Sequence, residues 1–474
     1  MSRMKFLPVT AVVLLSLVSS GVSVAAQKPL PITLTILHTN DIHGHMFPFD
    51  YSKLGKGETD VGGAARRAAL IRKLKKESGK RVLVMDAGDV FTRGPLAELH
   101  GVPDFAIMNA VPYDIMTLGN NEFKGADGPE AQQIMLDRIK QARFPVVAAN
   151  VIDASTGKTI VPPYKILNVD GLRIGVFGVT ASRVATYEQA KGLTIADPVE
   201  TAKKTISEME PKCDFIIALS HLGYPSDIEL ATRVPRIDVI IGGDSHTWLF
   251  QPTLVKHENA QPGWIGGTII CQDGEWGKTV GKLYLTLSRL NDGKFHVERY
   301  NSKLVEVNSS IKPATDIEKI LAQYTKPFTA KVGNLNKPVP TPEAAEWVAE
   351  VIRQAVGAQV GLMPKEDVEN GLRAGTVTPL DIRRMFVYPN RISRLALTGK
   401  QIEEFTSRTD TALAGAHLRD GMLYIGQDKL DENAKYSVAI EDYYAASISG
   451  EAGQAEPGCS IRDAICDHVA ENMK

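Results

Sequence analysis

The sequence predicts an α/β protein: a layered domain of buried strands and covering helices, followed by a smaller α+β domain. Three observations carry this expectation. Short apolar runs rich in Val, Ile and Leu recur from Leu34 onward, and each stops abruptly at Gly, Asp, Asn or His. Residues 34–37, 82–85, 114–118, 215–219 and 238–241 are examples. Runs without alternation, bounded by turn residues, read as strands buried on both faces. Helical periodicity fills the gaps, as in 64–76 and 130–143, and strands alternating with helices fold into layers. The basic residues of the first helix, Arg66 through Lys76, read as a solvated face. The pattern then changes. Residues 282–307 alternate around an Asn-Asp-Gly turn at 291–293, and 311–330 read as a helical connector. From Val332 a helix (343–355) mixes with strands at 392–397 and 436–440.

A chain of 474 residues has room for about two to four domains. With 43% hydrophobic and 23% charged residues it is globular, which excludes a disordered or low-complexity bulk. The formal net charge is −1, and no basic block carries interleaved aromatics, so a polymeric nucleic acid is not the expected partner. A small anionic substrate stays open, because a local metal charge can attract one without a basic surface. Residues 1–26 read as a signal peptide. Arg3 and Lys5 lead an apolar stretch from Phe6 to Val18, and small residues end at Ala25 and Ala26 before Gln27. That stretch is too short for a comfortable membrane span. The expectation is a periplasmic or secreted protein with no membrane span after cleavage. Four cysteines in an exported chain allow disulfides. Cys459 and Cys466, close in sequence, are the favoured pair. Cys213 and Cys271 flank apolar runs and read as a second bridge or as buried thiols.

The chemistry concentrates where the runs end. Asp41 and His43 follow the first, Asp89 the second, Asn120 and Asn121 the third, His221 the next, and Asp244 and His246 the last. In open α/β sheets ligands bind beyond the carboxyl ends of the strands, so five such ends converge on one crevice. Imidazole and carboxylate favour zinc, manganese, iron or nickel over calcium, and the lack of thiolates argues against iron–sulfur clusters. One carboxylate can join two ions roughly 3.5–4 Å apart, a pair suited to clamping a phosphoryl group and acidifying a water.

These five blocks, in this order, resemble the calcineurin-like metallophosphatase domain of the bacterial periplasmic 5'-nucleotidase family. The likeness extends to Gly62 and Gly63 and to the segment from Gln272 to Gly277, and covers about residues 32–310. It implies a layered β-sandwich flanked by helices, and hydrolysis of a phosphate ester by a metal-activated water. One ion would be held by Asp41, His43 and His246, the other by Asn120, His221 and Asp244, with Asp89 joining them. The implied cofactors are two divalent ions: manganese, zinc or cobalt. Two departures stand out. Asp244 replaces the usual His. The family's Gly-Asn-His-Glu-Phe-Asp reads Gly119-Asn-Asn-Glu-Phe-Lys124, so its assisting His–Asp dyad becomes Asn121 and Lys124. Asn is no general acid, and such assistance is typically worth ~10²–10⁴ in rate. A slow enzyme, a substrate with a good leaving group, compensation by Lys124 or another donor, and a non-catalytic metal-binding role all remain open.

The resemblance divides the chain into a signal peptide (1–26), a metallophosphatase domain (27–310), a helical linker (311–331) and a substrate-binding domain (332–474). In the last, Arg373 closes a shortened form of the family's Asn-Gly-Gly-x-x-Arg. Thr378 and Pro379 open a helix as N-cap and first helical residue. Tyr388 and Asn390 match the aromatic and Asn that follow. The family's Gly-Gly-Asp-Gly is missing, and Tyr443 lies where the second aromatic would close on a base. Arg373 would contact phosphate or ribose, and the two tyrosines would stack the base. The implied substrate is a nucleotide or a related small phosphoester, with a non-nucleotide ester as the alternative.

Overall fold

The computed structural model describes residues 1, 30–51, 57–126, 128, 130–258, 265–290, 293–449 and 455–471. The expected signal peptide and most of the 291–293 turn lie outside the described residues.

Two six-stranded sheets stack face to face. The first runs Phe295–Glu306, Thr279–Arg289, Ile32–Thr39, Val82–Asp86, Ile115–Thr117, Val146–Val147; the second runs Thr253–Lys256, Gly267–Cys271, Val239–Gly242, Phe215–His221, Leu172–Thr180, Tyr164–Val169. Strand side chains alternate between faces. Leu34 and Ile36 enter the core between the sheets, while Leu37 enters the core on the outer side. Phe215, Ile217 and Leu219 likewise point inward, and Ile216 and Ala218 outward. Helices Ala64–Glu77 and Val102–Ala110 cover the first sheet, and Pro198–Met209 and Tyr224–Arg233 the second. Both faces are therefore apolar, which is why the runs do not alternate. The centres of both sheets are parallel, so the five polar strand ends emerge on one rim. The approach of the sheets needs a glycine at 178: any Cβ there would collide with the Val147 carbonyl.

The first helix departs from a wholly solvated basic face. Arg66, Arg72 and Lys75 pair with Asp60, Asp316 and Asp114. Arg67 is buried, and its charge acts on Asp86 and Asp104. Helix Thr315–Thr325 docks Ile317 and Leu321 into the same core.

The C-terminal sheet runs Thr411–Ala414, Val360–Pro364, Lys435–Glu441, Arg391–Thr398, Ala455–Ser460. Helices Ala344–Ala355 and Ile461–Glu471 fill one core with Val348, Ile352 and Ile465; helix Gly399–Arg408 fills another with Ile402 and Phe405. Thr378 caps Pro379–Met385 in a reciprocal capping box with Asp381. Cys459 and Cys466 are thiols, contrary to the expected disulfide. Cys459 sits in a strand and Cys466 in the helix after it, both packed on the core. Cys213 and Cys271 are buried thiols in cores on opposite faces of their sheet. No helix among the described residues is long and apolar enough to cross a membrane.

Candidate functional site

The backbone itself marks the site. Eleven described non-glycine residues have positive φ, and five of them are Asp41, His43, Asp89, Asp244 and His246. Left-handed backbone is costly for such residues and persists where the surroundings enforce it. Here the enforcement is a web of loop hydrogen bonds: Asp41 N to Gly88 O, His43 N to Asp89 O, and Asp244 N to the Asp41 carboxylate. Gly119 is equally constrained, since a Cβ would strike the Asp89 carboxylate. Glu122 ties the loops together, accepting from the backbone N–H groups of Asp89, Val90 and Gly119 at 2.9, 2.7 and 2.6 Å.

The side chains then converge. His43 Nε2 lies 3.1 Å from His246 Nε2 and 3.7 Å from both Asp41 Oδ1 and Asp89 Oδ2. His246 Nε2 is 3.3 Å from Asp41 Oδ1. On the other side His221 Nε2 is 3.2 Å from Asp89 Oδ1 and 3.6 Å from Asp244 Oδ1. Among the described residues two groups have metal-ligand spacing: Asp41, His43 and His246, and Asp41, Asp89 and His221. Their fit to a divalent ion is tested by what they leave unsatisfied. Asp41 Oδ1 and His221 Nε2 are buried without a hydrogen-bond partner, a costly state unless a cation is the intended partner. His221 Nδ1 donates to the Ala87 carbonyl at 2.6 Å, which aims Nε2 into the crevice. The donor set of imidazole and carboxylate suits transition metals.

The electrostatics agree with a site rich in negative charge. Burial lowers His43 well below the usual imidazole value, with Asp89 opposing. Burial would lower His221 and His246 too. The carboxylates of Asp89 and Asp41 instead hold His221 well above its usual value, and Asp41 and Glu275 push His246 up to about 9. Asp89 is held below the usual carboxylate range, burial being outweighed by His221 and His43.

The substituted dyad positions point elsewhere. Asn121 donates its backbone N–H and its Nδ2 to the two oxygens of Asp89, at 2.7 and 2.6 Å. Lys124 Nζ stands 4.3 Å from the centroid of the Tyr187 ring. No described hydrogen bond joins the two. Three charged residues at the site went unread in the sequence. Glu275 holds His246 Nδ1 at 2.7 Å and accepts from the Tyr51 hydroxyl. Arg93 engages no hydrogen bond or ion pair among the described residues, and its charge acts on both His43 and Tyr388. Arg183, on the turn Ser182–Thr186 beyond strand Leu172–Thr180, contacts Asp244 and Asn120.

The C-terminal domain closes over this rim. His45, stacked on Trp276, meets Glu369 at 2.9 Å in a buried contact; Thr341 donates to Asp50, and Arg383 to Glu98. A cavity of about 870 Å³ lies between the domains, walled by Tyr51, Trp276, Glu369, Arg408 and Tyr444. The four substrate-binding candidates are scattered. Arg373 is exposed and lines a separate cavity with Asp50, Asp60 and Arg384. Asn390 donates to Glu441 at 2.7 Å. Tyr388 packs edge-on against Phe386, and the exposed Tyr443 against Tyr444, so the tyrosines face different neighbours.

Comparison with known proteins follows the same division. Residues 34–248 match the calcineurin-like phosphoesterase family, and 328–453 the 5'-nucleotidase C-terminal domain. A 5'-nucleotidase of Vibrio cholerae is 28% identical, the match covering 98% of this chain and 95% of that one. The crystal structure of a 5'-nucleotidase precursor from Thermus thermophilus superposes with a TM-score of 0.70 at 26% identity, covering 93% of this chain and 97% of that one. The sulfate thiohydrolase SoxB of the same organism shares the fold, with a TM-score of 0.68 at 19% identity and coverage of 93% and 94%.

Proposed function

From the premise that the chain belongs to the calcineurin-like phosphoesterases that carry a 5'-nucleotidase C-terminal domain, we propose that it is an exported, metal-dependent hydrolase of nucleotides or related small phosphoesters. The observation that carries this is the convergence of His221 with the left-handed Asp41, His43, Asp89, Asp244 and His246, and the buried Asp41 Oδ1 and His221 Nε2 that take no hydrogen bond. Asp41, His43 and His246 would hold one divalent ion, and Asn120, His221 and Asp244 a second, with Asp89 between them. Such ions, when bound, polarise a phosphoryl group and acidify a water. The chain's own residues do the rest. Glu275 and the Ala87 carbonyl fix the tautomers of His246 and His221. Asn121 orients Asp89 through two hydrogen bonds, a positioning role in place of a general acid. Arg93, whose charge acts on His43 in one domain and Tyr388 in the other, would offer a cation to an anionic substrate held between them. Export rests on the charged, apolar and small-residue order of positions 1–26.

One observation favours a second reading, a hydrolase of a non-nucleotide ester: Tyr388 packs on Phe386 and Tyr443 on Tyr444, and no ring contact joins Tyr388 to Tyr443 among the described residues. The test is the full mature chain, stripped by a chelator and resupplied with manganese, zinc or cobalt. Phosphate release is followed from adenosine monophosphate and from a chromogenic phosphodiester. Metal-dependent turnover of the nucleotide supports the first reading, and turnover of the diester alone the second. No turnover with any restored metal would contradict both.

A further inference from the structure

The two halves of the metal cluster differ in one respect that metal-ligand spacing does not reveal. In the half formed by Asp41, His43 and His246 the inward atoms face one another, Asp89 and His221, and no arginine or lysine hydrogen-bonds to them among the described residues. In the other half a side chain already occupies the oxygens. The Arg183 guanidinium donates through Nη1 to Asp244 Oδ2 at 2.8 Å. Its Nη2 reaches both Asp244 Oδ1 and Asn120 Oδ1, the latter at 2.7 Å. The Nε is held 3.3 Å from the Tyr187 hydroxyl. One planar cation thus spans both oxygen donors of the second position, using the forked geometry that suits a carboxylate. Guanidinium stays charged at any working pH, so it cannot yield the position by losing a proton.

Charge makes the same point. Asp41, Asp89 and Asp244 bring three carboxylates to the crevice, and Asp244 stands where a neutral imidazole would add no charge. Arg183 offsets that extra negative charge. A divalent ion entering beside Asn120 and Asp244 meets a unit positive charge at contact distance, a repulsion that an otherwise identical site would lack. Arg183 is half-exposed and lies on a short turn at the rim, so it has room to leave.

We infer that Arg183 is a tethered cation competing for the second metal position, so that this protein binds its two divalent ions with unequal strength and the second only by displacing the guanidinium from Asn120 and Asp244. The inference rests on the metal-dependent reading above. It makes Arg183 a positioning residue, and one that sets how much free metal is needed to complete the site.

The experiment is a manganese titration of the stripped full chain, read by calorimetry and by the electron paramagnetic resonance signature of paired manganese ions. Wild type should bind one ion tightly and a second weakly. Arg183→Gln should tighten the second by about tenfold or more, because a unit charge is removed at contact, and the paired-ion signature should appear at correspondingly lower manganese. Arg183→Lys, which keeps the charge but cannot span both oxygens, should fall between them, and serves if the Gln variant folds poorly. Equal affinities in wild type, or a second ion unchanged or weakened in Arg183→Gln, would overturn the inference while leaving the metal reading intact. No manganese bound to wild type or variant would remove the metal reading and this inference with it.

Discussion

In the N-terminal crevice five of the seven candidate ligands sit at positive φ, and hydrogen bonds from neighbouring loops hold the backbone of Asp41, His43, Asp89 and Asp244. In the C-terminal domain Tyr388, Asn390 and Tyr443 occupy unstrained positions and contact different neighbours. Strain that a fold maintains is a sign of a geometry under constraint. Tyr388, Asn390 and Tyr443 carry no such backbone signature. The first region is held by its backbone, whereas the second shows its candidates in ordinary side-chain packing.

Substitutions in the two regions should therefore differ in size. The largest effect is expected for Asp89→Asn, which removes charge between the two halves of the cluster. Activity should fall by roughly 10²–10³-fold or more, as for loss of a preorganised electrostatic partner, with the melting profile showing an intact fold. Activity within a few-fold of wild type would break the comparison. Next comes the junction between regions. Glu369→Ala strands the buried His45 ring, and should cost about 1–3 kcal/mol in urea unfolding.

The third prediction concerns pH. Burial raises the Glu441 carboxyl far above its usual range, and Asp367 beside it adds to the shift. A folded-state pKa above the unfolded one means that the folded chain holds the extra proton. The stabilisation is complete below the ordinary glutamate value of 4.5 and is lost progressively as pH rises above it. Unfolding free energy should thus decline from pH 5 to pH 9, and Glu441→Gln, which can still accept from Asn390, should flatten the decline by on the order of 1–3 kcal/mol. Parallel profiles for both proteins would show that Glu441 is ionised in the fold. The smallest effect belongs to Tyr443→Ala. The ring is 74% exposed, so stability should change by less than about 0.5 kcal/mol and the KM for adenosine monophosphate should hold. A large rise in KM would mean that Tyr443 closes on the base after all.

What the sequence made legible follows from the same contrast. Strand runs such as 215–219 announce themselves because both faces must be apolar, and parallel topology then dictates that their polar ends meet. The capping box at Thr378 was readable because it is local. Arg183 was not. It follows strand Leu172–Thr180 on a turn with no Asp or His to flag it, and its partner Asp244 lies 61 residues away. Arg67 shares its helix with solvated basic residues, and only the tertiary fold buries it against Asp86 and Asp104. Cys459 and Cys466 were misjudged because nearness in sequence does not bring a strand thiol onto a helix thiol.

The most direct measurement is a crystal soaked in manganese, with anomalous scattering recorded at a wavelength where manganese contributes. The account predicts a peak between Asp41, His43, His246 and Asp89, and a weaker one beside His221. A crevice without anomalous density, in crystals whose fold is otherwise as described, would contradict it.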